Sequence, residues 1–209
     1  MTHGLDPDHQ PAATAIAPTD GGGPAFDWPA VTMWLGLVSV AVIGRLLQPH
    51  WNGEPLWNVT PMAGIALAAG AVFRRPLVAA SVPLAALALS NLAMPSYGST
   101  AMAAVVYAAT AWPVLLGGLV RKGRLPAVVG GALATSLVFF VSTNFAHWLL
   151  GSDYPANAAG LLACFVAALP FYRWMPVGDI VWSLVIFGGL AACGHIGIVA
   201  GRRAIRRSA

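Results

Sequence analysis

Several residues able to do chemistry lie inside otherwise apolar sequence. Asp179 follows Pro176 and Gly178 and opens the last apolar stretch, which puts an acid in the first turn of a predicted helix. There it either caps the helix, worth about 0.5–2 kcal/mol, or meets a partner, since a carboxylate at the centre of a membrane span costs about 2.5–3.5 kcal/mol. Arg173 and Arg45 are the basic residues expected on the same side. Either can pair with Asp179 or hold an anionic ligand, and Arg45 near a helix end can also snorkel to the interface. Ser136, Thr143 and His147 recur at i, i+7 and i+11 on one helix face, with Asn144 at its edge and Trp148 one position further round. Hydroxyls on such a face bond neighbouring helices or their own backbone. Asn144 and His147 lie nearer the outer end, where packing and ligand binding both fit, and Ser90 and Asn91 sit toward the outside of another apolar stretch. Trp51, Tyr97 and Tyr154 add aromatic surface in the loops on that side.

Reactive signatures are missing from the sequence: there is no GxSxG, HExxH, Walker A, dinucleotide GxGxxG, EF-hand or DDxxD-like pattern. Ser136 or Ser142 with His147 and Asp153 makes a triad only on paper. No enzymatic activity is expected. Cys164 and Cys193 lie in apolar sequence without a CxxC or Cys/His cluster, so neither a disulfide framework nor a metal site is expected, and no cofactor.

The elements that position these residues follow from composition. Of 209 residues, 58% are hydrophobic and 9% charged, against roughly 25% charged in soluble domains. An all-α, polytopic membrane helix bundle is the predicted fold class. Apolar stretches cover residues 30–47, 57–73, 77–94, 101–120, 127–150, 157–172 and 178–200. The stretch 57–73 is short but bracketed by Trp57 and Phe73 and reads as a span. The stretch 157–172, with Pro170 near its end, reads as a re-entrant or half-helix segment.

Basic residues decide that count. With six transmembrane helices, Arg74-Arg75, Arg121-Lys122 with Arg124, and Arg202, Arg203, Arg206 and Arg207 share one side, leaving only Arg45 and Arg173 of the eleven basic residues opposite. The positive-inside rule makes the basic side cytoplasmic. Residues 1–29 hold four Asp and no Lys or Arg and read as a disordered cytoplasmic tail without signal-peptide character. A transmembrane domain over 30–201 and a basic cytoplasmic tail over 202–209 complete the division. The expected location is a bacterial cytoplasmic (inner) membrane, with lipid contact and no nucleic-acid partner, because the positive charges lie in topology-setting clusters.

Small residues give a further pattern. Gly64/Ala68 and Ala66/Gly70 are i, i+4 pairs of small-xxx-small type, which let helices approach closely, either within the chain or against another subunit.

The run Asn58-Val59-Thr60-Pro61-Met62-Ala63-Gly64-Ile65-Ala66-Leu67, the turn Phe73-Arg74-Arg75-Pro76, and Leu161-Leu162-Ala163-Cys164-Phe165 leading to Ala168-Leu169-Pro170-Phe171 and Gly178-Asp179 resemble an uncharacterised bacterial family of proposed membrane transport proteins. More distantly they resemble the substrate-binding S components of energy-coupling-factor vitamin transporters, notably biotin-type ones. That resemblance implies six helices, cytoplasmic termini, an outward-facing pocket closed by the loop around Pro170, Phe171, Gly178 and Asp179, and a separate transmembrane coupling protein with ATPase subunits. The sequence departs from it in two places. No Ala-xxx-Ala face stands out in the first helix, and Ile180 and Val181 follow where the biotin type has a basic residue.

The expected function is a membrane-embedded substrate-binding component for uptake of a small solute such as a vitamin, driven by partner ATPase subunits. Trp51, Tyr97, Trp148 and Tyr154 would stack on the solute; Asn91, Asn144, His147, Arg173 and Asp179 would bind its polar groups. The alternative is an accessory structural subunit that docks on a larger membrane complex and binds no soluble ligand.

Overall fold

Away from water, apolar sequence must satisfy its own backbone, and helices do so within one segment. The computed structural model describes residues 27–196 except 48, 57, 95 and 96, and omits the side chains at 51, 54 and 55. Expectations for residues 1–26 and 197–209, and for Trp57, lie outside the described residues. The helices are α1 (Trp28–Leu46), α2 (Met62–Val72), α3 (Pro76–Asn91), α4 (Thr100–Val120, with a 3-10 stretch at Trp112–Leu116), α5 (Leu125–Leu150), α6 (Ala158–Tyr172) and α7 (Met175–Ala192). A small hairpin pairs β1 (His50–Trp51) with β2 (Glu54–Pro55). Its turn is Asn52-Gly53, both at positive φ, the pairing that a two-residue hairpin favours.

Prolines mark the helix starts. Pro29, Pro76, Pro126 and Pro176 stand in the first turns of α1, α3, α5 and α7, where no intrahelical donor is lost. α1 begins at Trp28 rather than at residue 30, because the Asp27 carboxylate accepts the Ala30 N–H at 3.1 Å and caps it.

Four helices, α1, α4, α5 and α7, are long and apolar enough to cross a membrane. α2, α3 and α6 have 11, 16 and 15 residues. α2 is therefore about 16 Å long, roughly half of a ~30 Å hydrocarbon layer. The stretch 57–73 thus differs from the expected full helical span: residues 58–61 are irregular. Non-helical backbone is tolerated at depth where protein buries it, and here it is packed tightly. A Cβ on Gly44 would lie 2.5 Å from the Pro61 ring, and one on Gly178 would lie 2.8 Å from Val59.

α2 is the core, with ten of its residues buried, and it packs against α1, α3, α4, α5 and α7. Contacts fix the directions. Trp34 and Arg45 of α1 meet Ser81 and Ser90 of α3, so those helices run parallel. Gly64 faces Ser183 and Ile186 while Val59 faces Gly178, so α2 and α7 run parallel to each other. One end of the bundle carries the Arg74-Arg75 and Arg121–Arg124 turns; the other carries the hairpin and the loops before α4 and α6. α6 lies against the C-terminal part of α5 only: Cys164 Sγ donates to the Asn144 carbonyl at 3.5 Å, and Phe140 meets Phe165 and Tyr172. α7 then continues down α5 from Ser136, so the two helices form one broken path.

Candidate functional site

A cavity of about 190 Å³ opens between α1, α3, α4, α5 and α7 above the start of α2. Leu87, Met94, Val106 and Phe139 supply apolar wall, Arg45, Asn58, Thr60 and Asp179 supply polar groups, and Thr110 and Thr135 also line it. Thr110 and Thr135 are bonded to their own helices, to the carbonyls of Val106 and Gly131. This is the ordinary behaviour of Thr in apolar helices and leaves their methyl groups to line the space.

Asp179 is 2% exposed. α7 starts at Met175, so Asp179 stands in the second turn and not in the first, and it does not cap the helix. Pro176 and Gly178, read as preceding the helix, are part of it, because proline's fixed φ suits a first turn. The carboxylate instead accepts a hydrogen bond from Ser136 Oγ at 2.5 Å, across from α5. The Ser136 face predicted from periodicity therefore does turn inward, at Ser136 itself.

Arg45 turns inward as well, in place of snorkelling outward. Nη1 donates to Ser90 Oγ at 2.5 Å and to Asn91 Oδ1 at 2.7 Å. The Asn91 amide nitrogen in turn donates to Tyr107 Oη at 3.3 Å and Tyr97 Oη at 3.4 Å, and the two tyrosine rings meet edge to face at 6.5 Å. Asn91 and Tyr97 thus hold Arg45 and do not line the cavity themselves. Arg45 and Met94 also line a shallower groove with Leu46, Leu47, His50 and Ala93, so they stand between that groove and the cavity.

The other expected binding residues lie elsewhere. Asn144 lines a neighbouring cavity of about 220 Å³ with Thr143, Phe171 and Tyr172, but its amide donates to the carbonyl of Phe140 at 2.7 Å. His147 pairs with Asp153 at 3.2 Å on the surface and its ring meets Tyr154 edge-on. Trp148 Nε1 donates to the Pro155 carbonyl at 3.0 Å. His147 and Trp148 thus shape the loop between α5 and α6. Arg173 is exposed and lies over the Trp174 ring at 5.8 Å. The Trp51 side chain is outside the described residues. Gly64, Ala66, Ala68 and Gly70 are buried inside α2, against helices of this same chain.

The sequence offered no sign of Asn58 and Thr60 as cavity residues, and it raised Arg45 as a holder of an anion without deciding between that and the interface. A signal existed for Arg45: it is the only charge in its apolar stretch, and Ser90-Asn91 is the polar pair that can receive it. Asn58 sits at φ 68°, in the left-handed region that Asn tolerates, and no periodicity announces such a position.

No group of three or more His, Cys, Asp or Glu among the described residues could hold a metal ion. Apolar helices around a partly polar internal cavity define an α-helical membrane protein. The profile of a family of unknown function, DUF6580, matches residues 27–197, and the chain belongs to that family. No curated protein and no solved structure matches it.

Proposed function

We propose that this protein is the membrane-embedded solute-binding component of an uptake system, working with a transmembrane coupling protein and ATPase subunits in a bacterial inner membrane. The single observation that carries the reading is the cavity, which holds an arginine and an aspartate inside an apolar bundle. Buried ionisable groups in membrane helices are costly and are retained mainly along solute or ion pathways. The groove beyond Arg45 lies at the end of the bundle away from the basic turns, which by the positive-inside rule is the external end. In this orientation α6 and α7 make one crossing between them, giving six passes in total, with both termini cytoplasmic.

The resemblance to S components of vitamin transporters supports the same reading through Pro170, Phe171, Gly178 and Asp179. An accessory structural subunit is less well supported, because the small-residue faces of α2 that would dock a partner are filled by helices of this chain. The reading assigns no catalytic step.

Native mass spectrometry of the gently solubilised protein tests it. A retained non-lipid solute is expected, with or without ATPase subunits, and Asp179→Ala should lower its uptake by cells at least about tenfold while the protein stays folded. Asn144→Ala should lower uptake less, and His147→Ala should leave it unchanged. Lipid adducts alone, with partners from an unrelated membrane assembly, would favour the structural-subunit reading.

A further inference from the structure

The charges around the cavity narrow the chemistry of its ligand. Arg45 reaches it from the last turn of α1 and Asp179 from the second turn of α7. They are not paired with each other, and among the described residues the one contact of a basic side chain with a carboxylate is that of His147 with Asp153. Arg45 is held through Nη1 alone by two neutral acceptors. Its Nε–H and Nη2–H donors, a fork suited to a carboxylate, meet no acceptor among the described residues. Asp179 accepts one side-chain hydrogen bond, from Ser136. Opposite charges facing a cavity with largely apolar walls each call for a counter-charge. α2 adds to the positive side: Met62 and Ala63 of its first turn line the cavity, and its N-terminus has no side-chain cap.

Resting on the uptake reading, the geometry points to a zwitterionic solute of amino-acid size as the ligand, its carboxylate on Arg45 and its positively charged nitrogen on Asp179. The walls formed by Leu87, Val106 and Phe139 suit a short apolar body between the two charges. Arg45 borders the groove as well as the cavity, so an entering carboxylate meets it first.

The full-length protein in lipid nanodiscs tests this by thermal stability read from tryptophan fluorescence. The probes are the standard amino acids and small trimethylammonium carboxylates, each beside its N-acylated anionic form or its cationic ester. At least one zwitterion should stabilise the protein, binding about 10- to 100-fold more tightly than either singly charged derivative. Arg45→Gln should remove the discrimination against esters, and Arg45→Lys should restore part of it. Asp179→Asn should remove the discrimination against acylated forms. The comparison of derivatives on the unaltered protein stands even if a variant folds poorly. The inference is overturned if no zwitterion stabilises the protein up to about 10 mM, if derivatives bind as well as their parents, or if folded variants keep the original selectivity. Charge-selective binding without accumulation of that solute in cells overturns the uptake reading and leaves the cavity assignment standing. Accumulation of an uncharged solute that substitution of Asp179 weakens does the reverse.

Discussion

At the scale of single residues, the polar groups of this protein divide into those that hold one another and those that do not. Ser136 and Asp179 satisfy each other across α5 and α7, and Ser90, Asn91, Tyr97 and Tyr107 hold Arg45. Ser183 contrasts with them. It lies one turn beyond Asp179 on α7, fully buried against Gly64, and its hydroxyl has no hydrogen-bond partner. A buried unsatisfied hydroxyl costs about 1–3 kcal/mol, and removing it removes that cost. Ser183→Ala should therefore raise stability by about 1 kcal/mol, less any loss from the small gap left behind. Chemical or thermal unfolding in detergent checks this; a clear loss of stability would show that the hydroxyl is satisfied in the membrane. By the same logic Ser136→Ala should be destabilising, because it strips a buried carboxylate of its donor.

At the scale of elements, close helix approach depends on individual glycines. Gly70 of α2 and Gly117 of α4 touch backbone to backbone: a Cβ on Gly117 would lie 2.0 Å from the Gly70 carbonyl carbon. Gly118, the next residue, has nothing within 4 Å of the same position. The pair makes a controlled comparison. Gly117→Ala forces α4 away from the core helix and should cost at least about 1–3 kcal/mol. Gly118→Ala meets no steric barrier and gains helix propensity, so it should be neutral or stabilising by up to about 1 kcal/mol. Equal behaviour of the two variants in an unfolding measurement would mean that α2 and α4 do not pack as described. The 3-10 stretch at Trp112–Leu116 lies beside this contact and includes Pro113 and Val114, whose carbonyl is 2.2 Å from a Cβ on Gly70.

At the scale of the whole molecule, the half-length α2 is the organising feature. It is surrounded by helices and capped by irregular chain, so the cavity forms above it at the end that carries the hairpin. The proposed orientation makes Ser99 external and Lys122 cytoplasmic. In a Cys164→Ala, Cys193→Ala background, Ser99→Cys should react with a membrane-impermeant maleimide in intact spheroplasts. Lys122→Cys should react only after permeabilisation. The opposite pattern would invert the protein and place the groove beside Arg45 on the cytoplasmic side.

Much of the architecture was legible in the sequence because hydrophobic burial and backbone satisfaction act locally. Composition and apolar runs specify helices in a membrane, and Pro and basic residues punctuate them, so α1, α3, α4, α5 and α6 fall close to the stretches read from the chain, whereas α7 covers Met175–Ala192 in place of 178–200. Asp179, Ser136 and Asn91 were legible as polar groups out of place in apolar surroundings, since such groups need partners. Which partners they found was not. The local reading left Asp179 open between a cap and a partner, left Arg45 open between the interface and a ligand, and gave His147 and Trp148 the same standing as Asp179. Only the packing of α1 on α3 and of α5 on α7 brings Arg45 and Asp179 to one cavity while leaving His147 on the surface. The shortness of α2 was hidden for a related reason. Residues 58–61 continue without a break into the apolar run of α2, and the irregular path there packs Pro61 against Gly44 and Val59 against Gly178, far away in the chain. The sequence by itself determined a helical membrane protein with a few displaced polar groups; tertiary structure decided which of them share a cavity, because that depends on distances between helices that no single segment encodes.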